Sequence, residues 1–160
     1  MIFIVDNVIT GYECDLLMKL HSNNLHLSVK FPEDCDRGCS WPILFDKLND
    51  NDLTEIIRKI ENVTQYYFGD VEVEWGELKM GDIENSHKLH YDLASELTVV
   101  SSITYLNDNY VGGKTIFEDG TEIQPKVGRT VIFDGNRYKH GASTNREYQR
   151  YTIPIWYRKK

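Results

Sequence analysis

Three side chains in the second half of the sequence could bind one metal ion together. His90 and Asp92, two positions apart, offer an imidazole and a carboxylate, and His140 offers a second imidazole. Two imidazoles and one carboxylate on one side of Fe(II), with other coordination positions open, form a ligand set that activates O₂. Arg150 follows His140 by ten residues and could bind an anion beside the metal. If these four residues converge in space, they predict oxygen-activating chemistry.

Each of these signals is weak when it is considered alone. Chance would produce His-x-Asp roughly 0.4 times in a chain of this composition. A lone His is more often structural than a ligand, and Arg150 alone would be interpreted as a surface charge. His87 is a competing imidazole, but its spacing to Asp92 does not fit the motif, and we interpret it as a loop residue. The prediction therefore depends on the elements that surround the four residues.

The first 70 residues predict a short strand followed by two helices. Residues 2–5 are apolar and suit a strand. Thr10 and Glu13 have the Thr-x-x-Glu form of a capping box, so a helix should begin there. Asp52 should cap a second helix, because Glu55 follows three residues later and apolar residues then recur at helical spacing.

A long segment between these helices shows no clear period. Residues 22–42 contain Pro32, Gly38 and Pro42 and are interpreted as a long irregular loop. Arg37 and Trp41 in this loop would suit a substrate-facing lid, and a purely structural cover over the fold is the alternative.

From residue 71 the pattern changes to β-strands that are separated by turn residues. Asp119-Gly120 predicts a hairpin, because Asp-Gly suits the positive φ angles of a type I′ turn. Helices first and strands afterwards predict an α+β, mainly β fold, a double-stranded β-helix (jelly roll, cupin-like) with the N-terminal helices packed outside it. We expect a single domain over residues 1–160, with 1–70 as helical support and 71–160 as the jelly-roll core. The predicted strands cover residues 71–80, 97–106, 114–117, 121–124, 130–133 and 151–157.

Composition and charge argue against several classes of protein. With 41% hydrophobic and 27% charged residues, the 160-residue chain is typical of globular proteins. No apolar run approaches the ~18 residues of a membrane span, and the N-terminus lacks a secretory signal, so we expect a cytoplasmic protein without a membrane partner. Residues 1–125 carry 9 Lys and Arg against 23 Asp and Glu, a sum of −14, which disfavours a nucleic-acid partner. Residues 126–160 carry 9 against 2, a sum of +7, and form either a solvated basic tail or a locally positive anion site.

The motifs gain weight from the order in which they follow one another. This order closely resembles that of the 2-oxoglutarate- and Fe(II)-dependent oxygenases of the prolyl 4-hydroxylase type, and the resemblance covers Leu78 to Tyr157. The matching motifs are His90-Tyr91-Asp92, Tyr105-Leu106-Asn107, Gly112-Gly113-Lys114-Thr115-Ile116-Phe117, Pro125-Lys126-Val127-Gly128, His140, Arg150-Tyr151-Thr152 and Trp156.

The resemblance assigns a role to each polar residue of the opening set. It implies that His90, Asp92 and His140 are the ligands of Fe(II). It also implies that Arg150 forms a bidentate pair with the distal carboxylate of 2-oxoglutarate, a task suited to its planar guanidinium. Thr152 would hydrogen-bond the same carboxylate.

Three further residues match family positions near the site. Tyr105 and Thr115 match positions that line the co-substrate pocket, and Trp156 matches an aromatic position near the active site; ordinary packing inside the barrel is the alternative for each. The sequence departs from the family at residues 78–80, where an upstream Tyr usually contacts 2-oxoglutarate, and at Lys114, which replaces a common Glu. One co-substrate contact is therefore unassigned.

The resemblance implies a reaction and leaves the substrate more open. O₂ and 2-oxoglutarate would be consumed, succinate and CO₂ released, and a C–H bond hydroxylated; ascorbate is a reductant that such an enzyme can use. A proline in a peptide or protein is the leading substrate, and a free amino acid or other small molecule is the alternative. From a different class, a catalytically silent jelly-roll binding module has the same fold, but the presence of all three ligands and Arg150 argues against it.

Overall fold

Twelve β-strands and two α-helices are present in the described part of the chain, which comprises residues 1–31, 38–92 and 95–160. The computed structural model confirms the prediction of a mainly β fold. The helices are α1 (Gly11–Asn23) and α2 (Asn51–Phe68). The strands are β1 (Ile2–Val5), β2 (Ser40–Leu44), β3 (Val71–Gly81), β4 (His87–His90), β5 (Thr98–Tyr105), β6 (Val111–Gly112), β7 (Thr115–Phe117), β8 (Glu122–Ile123), β9 (Thr130–Phe133), β10 (His140–Ala142), β11 (Asn145–Arg146) and β12 (Arg150–Lys159).

The strands form antiparallel sheets, as a jelly roll requires. The major sheet has the order β1-β9-β5-β12-β3-β2, and the minor sheet has the order β4-β10-β7-β8. A two-stranded sheet pairs β11 with β6. The first 70 residues therefore supply two edge strands of the major sheet as well as both helices.

Strand β12 shows how the major sheet separates the core from the site. Successive side chains of a strand point to opposite faces. Ile153, Ile155 and Tyr157 join the hydrophobic core that includes buried residues of both helices. Thr152 and Trp156 alternate with them and line a cavity on the other face. The helices thus cover the outside of the major sheet and leave its inner face for the site.

The helix starts are only partly as predicted. At α1 the capping box is confirmed: Glu13 N donates to Thr10 Oγ1 at 3.1 Å, and Thr10 N donates to Glu13 Oε2 at 2.9 Å. At α2 the prediction of Asp52 as the cap was wrong. Asp50 is the N-cap, because its Oδ1 accepts from Leu53 N at 2.8 Å; Asp52 lies inside the first turn, where its charge suits the helix dipole.

The loop and turn predictions also need correction. Residues 22–23 belong to α1 and residues 40–42 belong to β2, so the segment 22–42 is not wholly irregular. Trp41 lies in β2 and donates from Nε1 to Asp82 Oδ2 at 3.3 Å, whereas Arg37 lies outside the described residues. The hairpin at Asp119-Gly120 is confirmed, but the turn is not type I′, because only Gly120 has a positive φ. Gly120 N donates to Phe117 O at 3.0 Å, which indicates a three-residue loop with glycine at the left-handed position.

Within the described ranges, no helix is both long and apolar enough to cross a membrane.

A buried histidine that joins α1 to β2 should make folding sensitive to acid. His21 is 1% exposed, its Nε2 lies 2.7 Å from Trp41 O, and burial lowers its pKa from the ordinary 6.5. As the pH falls below 6.5, the unfolded chain therefore takes up a proton before the folded chain does, and the stability contributed by the neutral imidazole is lost as the pH passes down through the lowered folded pKa. We expect the metal-free His21→Gln variant to lose less unfolding free energy than wild type between pH 7.5 and pH 5, measured by urea denaturation. An equal loss in both proteins would contradict this role of His21.

Candidate active site

The three predicted metal ligands meet where the minor sheet ends. His90 is the last residue of β4, and His140, the first residue of β10, is its register partner. Asp92 follows β4 and is positioned by its backbone N–H, which donates to Gly135 O at 2.9 Å. His90 Nε2 lies 3.3 Å from Asp92 Oδ1, and His140 Nε2 lies 3.4 Å from Asp92 Oδ2. One donor atom from each residue falls within 4.8 Å of the others, a spacing at which all three can coordinate one ion.

The hydrogen bonds of the two imidazoles aim their Nε2 atoms at this cluster. His90 Nδ1 lies 2.8 Å from Lys88 O, and His140 Nδ1 lies 3.2 Å from Tyr138 O. A carbonyl oxygen only accepts hydrogen bonds, so each neutral ring carries its proton on Nδ1 and presents a lone pair at Nε2. Two lone pairs and a carboxylate then face one another, an arrangement that a cation between them stabilises. The donor set and its orientation fit Fe(II).

The protonation states of the cluster also suit a metal. Burial alone would raise the pKa of Asp92, but the contacts with His90 and His140 outweigh it and hold that pKa below its ordinary value. Burial lowers the pKa of His140, and the nearby Asp92 charge opposes this only in part. At neutral pH the carboxylate is therefore charged and the His140 ring neutral, which are the forms that bind metal ions.

A cavity of about 230 Å³, here called the central cavity, opens beside the three ligands. His90 lies toward its opening, with 26% of its side chain exposed, against 7% for Asp92 and 5% for His140. Besides the ligands, the wall of the cavity includes Trp75, Lys79, His87, Arg150, Thr152 and Trp156.

Arg150 is held in the cavity wall in a way that fits a bound carboxylate. Its Nε donates to Gly113 O at 2.9 Å, and its guanidinium carbon lies 5.3 Å from the centre of the Tyr105 ring. Within the described ranges no Asp or Glu forms an ion pair with it. The backbone and the aromatic ring therefore fix the guanidinium, and its terminal nitrogens suit a planar carboxylate such as that of 2-oxoglutarate.

The other predicted co-substrate residues lie around Arg150. Thr152 is buried and faces Lys79 on β3 and Tyr105 on β5 in the strand register. The hydroxyl groups of Tyr105 and Thr115 form a short hydrogen bond with each other, and both residues are completely buried. Tyr105 and Thr115 do not line the central cavity; the Tyr105 ring contacts the Arg150 guanidinium, and Thr115 contacts Tyr105.

Trp156 forms an aromatic part of the cavity together with a residue that the sequence reasoning missed. Its ring stacks on that of Trp75 at 4.1 Å between centroids and 12° between planes. Trp75 is the register partner of Trp156, and Lys79, also missed, is the register partner of Thr152. The alternation of β3 places both on one face, but only the pairing of β3 with β12 shows that this is the face of the site.

The interpretation of His87 as a loop residue was wrong. It lies in β4, lines the central cavity, and its ring stacks on that of His90 at 4.1 Å between centroids. It does not belong to the donor cluster of His90, Asp92 and His140.

Comparison with known protein families gives a match that includes the three candidate metal ligands and Arg150. Residues 78–158, half of the chain, match the family described as the 2OG-Fe(II) oxygenase superfamily. None of the curated proteins matches the chain in sequence.

Solved structures similar to this fold include enzymes of two kinds. The viral collagen prolyl hydroxylase of Paramecium bursaria Chlorella virus-1, in its 2OG complex, has a TM-score of 0.75 and 18% identity over 99% of this chain and 96% of its own. A prolyl-4-hydroxylase of Pseudomonas putida has a TM-score of 0.80 and 16% identity over 99% and 92%. The non-haem alpha-ketoglutarate-dependent epimerase SnoN from nogalamycin biosynthesis has a TM-score of 0.79 and 14% identity over 99% and 77%. At these identities the similarity shows a shared fold.

Proposed function

The chain belongs to the 2OG-Fe(II) oxygenase superfamily, and from this membership we propose that it hydroxylates a proline in a peptide or protein, with release of succinate and CO₂. One observation supports the assignment of the reaction class. The donor cluster of His90, Asp92 and His140 lines the same cavity as Arg150, which has no carboxylate partner in the described part of the chain. A metal site and a carboxylate site in one cavity are what a 2-oxoglutarate-dependent oxygenase requires.

The residues of the chain would divide the work between binding and orientation. His90, Asp92 and His140 would hold Fe(II), and Arg150 with Thr152 would hold the distal carboxylate of 2-oxoglutarate. Bound together, Fe(II) and 2-oxoglutarate supply the activation of O₂ that a C–H hydroxylation needs. The hydrogen bonds from Nδ1 to the carbonyl oxygens of Lys88 and Tyr138 keep both imidazoles in the metal-binding orientation.

The size of the cavity and the exposed apolar residues at its rim support a substrate in which one side chain of a larger molecule enters the site. At about 230 Å³ the central cavity is smaller than the roughly 300–1,000 Å³ of typical ligand sites. Once 2-oxoglutarate is bound, room is left for a small group rather than for a large molecule. Leu89 and Tyr91, which flank His90, are 45% and 41% exposed and offer apolar surface to the rest of a peptide. The stacked pair of Trp75 and Trp156 gives a prolyl ring an aromatic face to pack on.

A small-molecule substrate is the second candidate. The similarity to the epimerase SnoN supports it, since SnoN has the same fold at a TM-score of 0.79. The two candidates share the metal and 2-oxoglutarate and differ only in what enters the open side of the cavity.

The assay that tests the proposal measures succinate and substrate mass together. Protein purified under reducing, anaerobic conditions is supplied with Fe(II), 2-oxoglutarate and then O₂, with and without proline-rich peptides. We expect peptide-dependent succinate and a mass increase of one oxygen atom on proline. Matched peptides with alanine in place of proline should give only the rate of succinate formation that is measured without peptide.

The controls separate the candidates from one another. Succinate that responds to a free amino acid or another small molecule, but to no peptide, would support the second candidate. If no tested condition gives more succinate than the His140→Ala variant, the chain is a binding module with the same fold.

A further inference from the structure

Tyr110, to which the proposed mechanism gives no role, is buried directly beside Arg150. It precedes β6 and is 6% exposed. A Cβ added at Gly113 would lie 2.5 Å from Tyr110 Cε2 and 3.1 Å from Arg150 Cδ. The tyrosine ring and the arginine side chain therefore pack on the same side of Gly113, whose positive φ of 60° and lack of a side chain permit this close approach.

The hydroxyl of Tyr110 lacks an acceptor for its proton. Its phenol oxygen is buried and near enough to Arg150 to accept from it, but no acceptor for its own proton is present among the residues that the structure describes. The guanidinium of Arg150 cannot supply the acceptor, because all of its nitrogens are donors. Most buried polar groups in proteins are paired, so an orphaned hydroxyl next to a cation indicates a missing acceptor.

The electrostatics of this position keep Tyr110 a donor. Burial raises the pKa of its phenol well above the ordinary value, and the positive charge of Arg150 offsets this only in part. The group is therefore protonated at neutral pH, and Arg150 and Tyr110 are two adjacent side chains that both carry hydrogen-bond donors. A carboxylate has two oxygens in one plane with lone pairs for several donors, and it is the ligand that satisfies both.

We propose that Tyr110 is a further binding residue for 2-oxoglutarate and donates its hydroxyl proton to the distal carboxylate that Arg150 binds. This inference rests on the proposed function, because it takes 2-oxoglutarate as the ligand of Arg150.

Isothermal titration under anaerobic conditions tests the contact without turnover. The Fe(II)-loaded wild type, Tyr110→Phe and Tyr148→Phe proteins are each titrated with 2-oxoglutarate and with 2-oxopentanoate, which lacks the distal carboxylate. Loss of one hydrogen bond to a charged group should weaken 2-oxoglutarate binding by about 10- to 100-fold in Tyr110→Phe. Binding of 2-oxopentanoate should be unchanged. Tyr148 is 52% exposed and lines a different surface pocket, so Tyr148→Phe should match wild type for both ligands.

The two ligands distinguish failure of this inference from failure of the proposed function. Equal weakening of both ligands in Tyr110→Phe, or no weakening of 2-oxoglutarate, would overturn the role of Tyr110 while the proposed function stands. A wild-type protein that does not prefer 2-oxoglutarate to 2-oxopentanoate would overturn both.

Stability of the ligand-free protein gives an independent readout. Because the Tyr110 hydroxyl lacks an acceptor in the free protein, its removal should leave the urea midpoint unchanged or raise it. A lower midpoint together with unchanged 2-oxoglutarate affinity would mean that the hydroxyl is structural, and the inference would be wrong.

Discussion

Replacing Asp92 with alanine should abolish iron binding and succinate formation. Asp92 contributes the anionic ligand of the cluster and lies between the two imidazoles, at 3.3 Å from His90 Nε2 and 3.4 Å from His140 Nε2. Its loss leaves two neutral ligands, too few to hold Fe(II) in a defined geometry. Hydrogen-bond partners behind a metal ligand are each worth about 10- to 100-fold in affinity or activity. We therefore expect the loss of the ligand itself to exceed roughly a hundredfold.

Anaerobic Fe(II) titration and the succinate assay measure these two losses separately. His87→Ala is a matched control, because the His87 ring stacks on His90 but lies outside the donor cluster. It should bind Fe(II) within roughly tenfold of wild type. Circular dichroism and the urea midpoint identify variants that remain folded. A folded Asp92→Ala protein that still takes up one Fe(II) and forms succinate at the wild-type rate would refute the ligand assignment.

The elements that the sequence predicted are those whose signals are local. The capping box of Thr10 and Glu13 depends on residues within one helical turn. Strands β3, β5, β9 and β12 are four to eleven residues long and contain enough β-branched and aromatic residues to be found without knowledge of their partners. The misplaced cap of α2 shows the limit, since Asp50 and Asp52 both suit a cap and only the hydrogen bond of Asp50 to Leu53 N decides between them.

The elements that the sequence missed depend on pairing with distant parts of the chain. Strand β4 has the sequence His-Lys-Leu-His, without an apolar alternation, because His87 and His90 line the central cavity and the two residues between them are exposed. Its strand character comes from β10, about 50 residues away, through the register of His90 with His140. No local pattern contains that information, which is why His87 was interpreted as a loop residue.

The site itself divides in the same way. Its residues with chemically distinctive side chains at fixed spacing, from His90 to Arg150, could be predicted before the structure was known. Trp75 and Lys79 reach the cavity only because β3 pairs with β12 in one register. The role proposed for Tyr110 depends on its burial beside Arg150 and on the lack of an acceptor for its hydroxyl proton, neither of which the sequence shows.

The affinity of the protein for 2-oxoglutarate should depend chiefly on Arg150. Backbone contact with Gly113 and the face of the Tyr105 ring fix its guanidinium before any ligand binds. Less conformational entropy is then lost when the carboxylate arrives. A bidentate pair makes two charge-assisted hydrogen bonds, each worth about 1.5–3 kcal/mol. Their combined loss of about 3–6 kcal/mol corresponds to a 10²- to 10⁴-fold weaker complex, at roughly 1.4 kcal/mol per factor of ten.

Arg150→Ala should therefore raise the Kd for 2-oxoglutarate by at least about a hundredfold. Its affinity for Fe(II) should be unchanged, whereas Asp92→Ala is expected to lose Fe(II) binding. Arg150→Lys keeps the charge but not the planar fork, and its Kd should lie between those of wild type and Arg150→Ala. Arg146→Ala is the matched control, because Arg146 is an exposed arginine on β11 and lies outside the central cavity. Anaerobic titration of the Fe(II)-loaded proteins measures all four affinities. If Arg150→Ala bound 2-oxoglutarate as tightly as Arg146→Ala does, the carboxylate site would have to lie elsewhere in the cavity.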